Sequence, residues 1–520
     1  LPPFEAAVKQ GKTLGMMASH CDVEGVPAHG NRWLLTELLR DDWGFEGYVV
    51  SDYNDVPRLE FFQHVVATAE EAAALALSAG LDIDLPVSQA YGGMEAILHA
   101  QPELVADLDR SVARILRLKF MLGLFENPYV DVAAVRQVVG CEAHVAISRQ
   151  LAEEAVVLLK NDHQTLPLER SGRLTLAVIG PNAASREVGN YTVSNDANGS
   201  ILDAIRQVLP SGDQVLHEGG CTIPQVGWDG TQSTLVETAL SDERESIDRA
   251  VKAAAAADVA VLCLGGNTQT SREAFYVDGI KGDRSSLNLL GNQLALFRQV
   301  KATGTPVVVI HMGGRCYSEP EIAAEADAIL NLFYLGQEGG IAVAKVLFGE
   351  VNPSGKLPVT VPRSVGQLPS YYAQKAISFY KDYLDEEPGP LYPFGYGLSY
   401  TQFEFGDIEL AQPTLAVADP VRFAITLTNT GSRAGAEVVQ VYFRDEVASV
   451  VRPAKLLVRF EKTYLEAGEN RVLRFELMPA TDLSFSGRDL NRTCEAGGFT
   501  LMIGRSSTDI CATARFALQE

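Results

Sequence analysis

Three unbroken apolar runs constrain this chain most: 174–180 (LTLAVIG), 258–266 (DVAVLCLGG) and 306–314 (PVVVIHMGG). A strand that is apolar on consecutive residues must be buried on both faces, the condition of a parallel sheet covered by helices on each side. Helical stretches at 242–257 and 287–303 separate the runs, so 150–361 reads as an α/β sandwich domain. Residues 1–125 show the same alternation. Segments 14–19 (LGMMAS), 48–52 (YVVSD) and 81–85 (LDIDL) read as strands, each followed by a helical segment. Thr68 and Glu71 form a capping box before an Ala/Leu run that stops at Gly80. After about residue 401 the period becomes two. Val421, Phe423, Ile425 and Leu427 alternate with polar partners, and Val439, Val441 and Phe443 repeat the pattern, which predicts a small β-sandwich over 401–520. Residues 126–149 read as a linker and 362–400, rich in Pro, Gly and Tyr, as a connector.

A length of 520 residues exceeds one core and predicts two to four domains. The net charge of -23 argues against a nucleic-acid partner, whose phosphates require a basic surface. No apolar run approaches the roughly 18 residues that span a bilayer, so no membrane segment is expected. Seven scattered cysteines, with no CxxC, read as mostly buried thiols. Sequons stand at Asn190, Asn198 and Asn491, at a frequency chance supplies. The chain opens on Leu1 with no charged-then-apolar leader, which leaves its compartment open. The turn GPNAAS is not GxGxxG, GGNTQTSR is not a phosphate-binding loop, and HExxH, GxSxG and EF-hand spacings are missing. No metal and no organic cofactor are expected, and His20, His29, His64 and His311 read as isolated structural histidines.

Two carboxylates stand where α/β folds place chemistry. Asp52 ends the strand YVVSD, and carboxyl ends of barrel strands carry catalytic groups. By its residues alone it reads more readily as a turn or helix cap. Glu273 lies in the long polar loop 267–282 that follows the run ending at Gly266, with Asp278 as a competing carboxylate. On local pattern that loop also reads as plain solvated surface.

Six ordered stretches change the weighting: 25–53 (GVPAHGNRWLLTELLRDDWGFEGYVVSDY), 149–168, 282–293, 336–362, 392–405 and 429–457. Together they resemble glycoside hydrolase family 3 over essentially the whole chain, the last stretch resembling the fibronectin III-like domain of many members. The implied fold is a multidomain α/β chain: a partial (β/α)8 barrel holding strands six to eight, an α/β sandwich domain and a C-terminal fibronectin III-like β-sandwich. The resemblance places the nucleophile on Asp52 and the acid/base on Glu273, with Met17, His20, Tyr53 and Arg272 at substrate-binding positions. The implied reaction is retaining exo-hydrolysis of terminal β-glucosyl residues, from oligosaccharides or aryl and alkyl β-glucosides. Its two carboxyls, supplied from different domains, would stand roughly 5–5.5 Å apart. Two departures bear on specificity. Ser19-His20-Cys21 replaces a Tyr-containing run near the nucleophile, and Tyr53 stands where many glucosidases have Trp.

A family barrel has eight strands in about 250 residues. The strands read here imply that the first half of the barrel exists elsewhere, as a companion chain or a cleaved segment. The family also admits a homodimer and a periplasmic or secreted setting. A β-xylosidase of the same mechanism is the near alternative. A β-N-acetylglucosaminidase fits less well, because that branch typically uses a His-Asp dyad in place of this Glu loop. A non-catalytic carbohydrate-binding or scaffold protein is the alternative of another class.

Overall fold

The computed structural model describes residues 1–169, 172–189, 191–192, 199–228, 233–271, 283–375 and 383–520. It divides into two compact units, Leu1–Val138 and Val139–Glu520.

In the first unit, β1 (Gly15–Met17), β2 (Tyr48–Tyr53) and β3 (Ile83–Leu85) form a parallel sheet with β2 in the centre. Helices α1 (Asp55–Phe61), α2 (Ala69–Ala79) and α3 (Val105–Met121) belong to the same unit. Thr68 caps α2 by accepting the Glu71 amide, while the Glu71 carboxylate accepts the Ala67 amide. Gly80 ends the helix at φ +108, a left-handed backbone that strains residues bearing a Cβ. Buried Ala72, Ala73, Ala76 and Leu77 of α2 pack with Val49, Val56 and Leu59 in one core. The small alanines let the helix sit close to its neighbours.

In the second unit, a six-stranded sheet runs in the order β4 (Val157–Asn161), β9 (Ala328–Phe333), β8 (Val307–Met312), β7 (Val259–Gly265), β5 (Thr175–Ile179), β6 (Gln214–Glu218). The three apolar runs become β5, β7 and β8, lying side by side. Their residues alternate between two cores: Leu176, Val178, Val261, Val308 and Ile310 on one face, Ala177, Ile179, Leu262, Val307 and Val309 on the other. Burial on both faces is why these strands are apolar throughout. All neighbours are parallel except β4, which pairs antiparallel with β9 at the edge. The sheet is therefore mixed where the apolar runs alone predict a parallel one. Gly265 closes β7 at φ +144, and a Cβ there would meet the Met312 carbonyl oxygen at 1.8 Å.

The C-terminal part is a β-sandwich. β10 (Val421–Asn429) pairs with β13 (Asn470–Leu477) in one sheet. β11 (Gly435–Asp445), β12 (Leu456–Leu465), β14 (Gly497–Gly504) and β15 (Ile510–Gln519) build the other. Val421, Phe423, Ile425 and Leu427 pack with Val439, Val441 and Phe443 in the core between them.

Two expectations need correction. Only Cys221 and Cys263 of the seven thiols are buried, while Cys21 and Cys511 are exposed. His311 is buried as expected of a structural histidine, yet its Nε2 finds no hydrogen-bond partner among the described residues.

Candidate active site

Asp52 is placed by the end of β2. Buried Val49 and Ser51 point into the core, so alternation turns Asp52 the other way, with 29% of its side chain exposed. Three bonds fix the strand end. Ser51 Oγ accepts the Leu85 amide at 2.8 Å, the Asn54 amide donates to the Leu85 carbonyl at 3.0 Å, and the Asp52 amide donates to His29 Nε2 at 3.1 Å. Asn54 then turns left-handed at φ 59 and starts α1, which brings Asp55 back beside Asp52.

Four side chains converge on the Asp52 carboxylate and its surroundings. Its Oδ1 accepts the Tyr53 amide at 2.6 Å, and its Oδ2 lies 3.1 Å from His20 Nε2. The other nitrogen of His20 lies 2.6 and 2.5 Å from the two oxygens of buried Asp55. Arg58, one turn along α1, donates to Asp55 Oδ1 at 3.0 Å. His29 is buried, and burial lowers its pKa against the opposing pull of Asp55. Because its Nε2 accepts the Asp52 amide, its proton sits on Nδ1, 3.5 Å from Asp55 Oδ2.

His20 and His29 are therefore not isolated, as sequence spacing alone reads them. They flank Asp52 and meet at Asp55. Asp55, Arg58 and His29 were not assigned as site residues from the sequence. The signal for the first two is the Asp-x-x-Arg spacing at the start of a helix, directly after an Asn able to turn left-handed. Asp84 is different in kind: it is buried, and its Oδ2 accepts the amides of Ala90 and Tyr91.

Met17 ends β1 and is exposed, and the register sets it beside Val50, one pleat before Asp52. Tyr53 is 54% exposed. Arg272, Glu273 and Asp278 lie outside the described residues. Up to Ser271 the loop begins as a reciprocal turn, the Asn267 amide donating to Thr270 Oγ1 at 2.9 Å and the Thr270 amide to Asn267 Oδ1 at 3.0 Å. A cavity of about 780 Å³ in the second unit, beside Tyr396, Arg433 and Arg505, holds none of the candidate residues.

A parallel strand carrying Asp52 at its end, a doubly covered α/β sheet and a terminal β-sandwich follow one another along the chain. Residues 1–118 match the glycosyl hydrolase family 3 N-terminal domain, 156–400 the C-terminal domain of that family and 437–507 a fibronectin type III-like domain. The periplasmic β-glucosidase of Salmonella typhimurium is 36% identical over 98% of this chain and 68% of its own length. A β-xylosidase of Formosa agariphila is also 36% identical, over 98% of this chain and 69% of its own. Another protein of that organism, whose β-xylosidase name is provisional, is 40% identical over 99% of this chain, which spans 65% of its length. The solved structure of the β-glucosidase EmGH1 from Erythrobacter marinus superposes with a TM-score of 0.94 at 39% identity, covering 100% of this chain and 69% of that one. The chain belongs to glycoside hydrolase family 3.

Proposed function

We propose that this chain serves a retaining exo-β-glycosidase that removes terminal β-glucosyl residues, with Asp52 as nucleophile and Glu273 as acid/base. The observation that carries the reading is the setting of Asp52. It is a partly exposed carboxylate at the carboxyl end of a parallel strand, with the Tyr53 amide donating to Oδ1, His20 Nε2 3.1 Å from Oδ2, and its own amide bonded to His29. Such a group attacks an anomeric carbon without moving the chain, and the Tyr53 amide stabilises its charge when it departs again. Glu273 comes from the family motif ahead of Gly282-Asp283-Arg284 and supplies the proton to the leaving oxygen. Met17, Tyr53 and Arg272 are proposed to line the substrate.

A β-xylosidase is the second reading. A named β-xylosidase and a named β-glucosidase are equally similar to this chain. Tyr53 in place of Trp leaves the pocket edge uncommitted.

The test uses p-nitrophenyl β-glucoside, p-nitrophenyl β-xyloside and cellobiose with the wild type and Glu273→Ala. The glucoside should be preferred. Glu273→Ala should lose cellobiose hydrolysis by about 10²- to 10⁴-fold, while a dinitrophenyl glucoside, whose leaving group needs no proton, should suffer far less in its first step. Azide should restore turnover and yield a β-glycosyl azide. A preference for the xyloside would favour the second reading. Azide rescue of Asp278→Ala and not of Glu273→Ala would move the acid/base role to Asp278.

A further inference from the structure

A strand's amides find main-chain acceptors only as far as the neighbouring strand runs. β1 ends at Met17, and the next amide, that of Ala18, still donates to the Val50 carbonyl of β2 at 2.9 Å. Backbone groups face the same edge at every second residue, so the Asp52 amide points to the side where β1 has ended. Its acceptor there is a side chain, His29 Nε2, at 3.1 Å. On the other edge the register between β2 and β3 shifts between Val50 and Tyr53, and Ser51 Oγ takes the Leu85 amide. Regular pairing of β2 thus breaks on both edges just where the carboxylate is presented. The substitute acceptor is itself fixed. His29 is buried in the turn Ala28–Gly30, whose Ala28 amide donates to the Cys21 carbonyl at 3.1 Å. A Cβ on Gly30 would meet Leu75 of α2 at 2.9 Å, so the turn lies close against that helix. Burial lowers the pKa of His29 and keeps the lone pair on Nε2 free to accept.

We propose that His29 is a positioning residue for the nucleophile. It stands in for the strand that ends at Met17, accepts the Asp52 amide, and so holds the peptide from which the carboxylate is aimed. The proposal rests on Asp52 being the nucleophile. In glycosylation an Asp52 oxygen bonds the anomeric carbon while the glycosidic bond breaks, and the departing oxygen keeps the bonding pair and takes the acid's proton. The attacking oxygen must approach along one line, and a misplacement of about 1 Å can cost about 100-fold in rate. The carboxylate is two bonds from the Cα whose amide His29 holds, so releasing that amide lets the strand end drift. His29 acts through the backbone of Asp52 and takes no part in bond making. Its loss should therefore slow attack rather than weaken sugar binding.

The experiment measures inactivation of the full chain by 2,4-dinitrophenyl 2-deoxy-2-fluoro-β-glucoside, whose phenolate leaves without a proton. Wild type, His29→Met and His29→Gln are compared, the labelled residue is mapped, and saturation separates the rate of attack from the affinity for the reagent. Met and Gln are alike in size, but only Gln offers a strong acceptor in place of Nε2. His29→Met should lower the maximal inactivation rate about 10- to 100-fold with affinity unchanged, and His29→Gln should recover most of that rate. Chemical unfolding of each variant establishes that folded protein is compared. Where His29→Met does not fold, His29→Gln decides: it should lose less than about 10-fold, and a larger loss would contradict the acceptor role. Equal rates for the two variants, a His29→Met rate equal to wild type, or a loss confined to affinity would overturn the proposal while leaving a label on Asp52 standing. A label on another residue, or none, would overturn the nucleophile assignment and this proposal with it.

Discussion

At the scale of single residues, ionisable groups here are set apart by how they are satisfied. Asp84 spends one oxygen on two amides in the core, whereas Asp52 accepts the Tyr53 amide yet keeps part of its side chain exposed. His311 is the opposite extreme. Full burial pushes its pKa down to about 4 from 6.5, with the edge of Tyr317 against its ring. A folded-state pKa below the unfolded one favours the folded chain above pH 6.5. That advantage is lost as pH falls from 6.5 to about 4 and amounts to about 3 kcal/mol in all. Unfolding of wild type and His311→Gln, measured across pH 4–7.5, should show the wild type losing more stability on acidification. Parallel pH profiles would refute the buried neutral histidine. The strand-end position of Asp52 was legible in the sequence because an apolar run closing on a carboxylate needs only local pattern. Asp55, His29 and the bridging of His20 were not. Their meeting depends on the left-handed turn at Asn54 and on the path from His20 to Gly30, which no periodicity encodes.

At the scale of elements, one buried carboxylate ties the first unit together. Asp82, its side chain fully buried, accepts the Val49 amide of β2, Arg40 of the helix Trp33–Asp42, and Ser111 and Arg114 of α3. Burial lowers Arg40 to about 10, with Asp82 as the main opposing influence. Asp82→Ala leaves that guanidinium buried without its partner and should cost about 3–5 kcal/mol in chemical unfolding of the full chain. A loss below 1 kcal/mol would show the network to be dispensable. Thr68→Ala removes only the cap of α2 and should cost about 1 kcal/mol. The cap was readable from Thr-x-x-Glu and the closing Gly80 because both signals are local. β5, β7 and β8 were readable for the same reason, each being an uninterrupted apolar run. The antiparallel β4 was not. Its VLLKN resembles the tail of the preceding helix, and only its pairing with β9 makes it a strand.

At the scale of the whole molecule, each change of sequence period marks a change of architecture. Strand-helix alternation gives the parallel sheet of the first unit, continuous apolar strands the sheet with two cores, and period two the terminal sandwich. Family 3 membership follows from the whole chain, and the central chemical claim follows from one carboxylate within it. That claim is tested most directly by trapping the glycosyl-enzyme with 2,4-dinitrophenyl 2-deoxy-2-fluoro-β-glucoside and mapping the adduct by peptide mass spectrometry. The adduct should lie on Asp52 and be lost in Asp52→Ala. An adduct on Asp55 or Asp84, or one that persists in Asp52→Ala, would contradict Asp52 as the nucleophile.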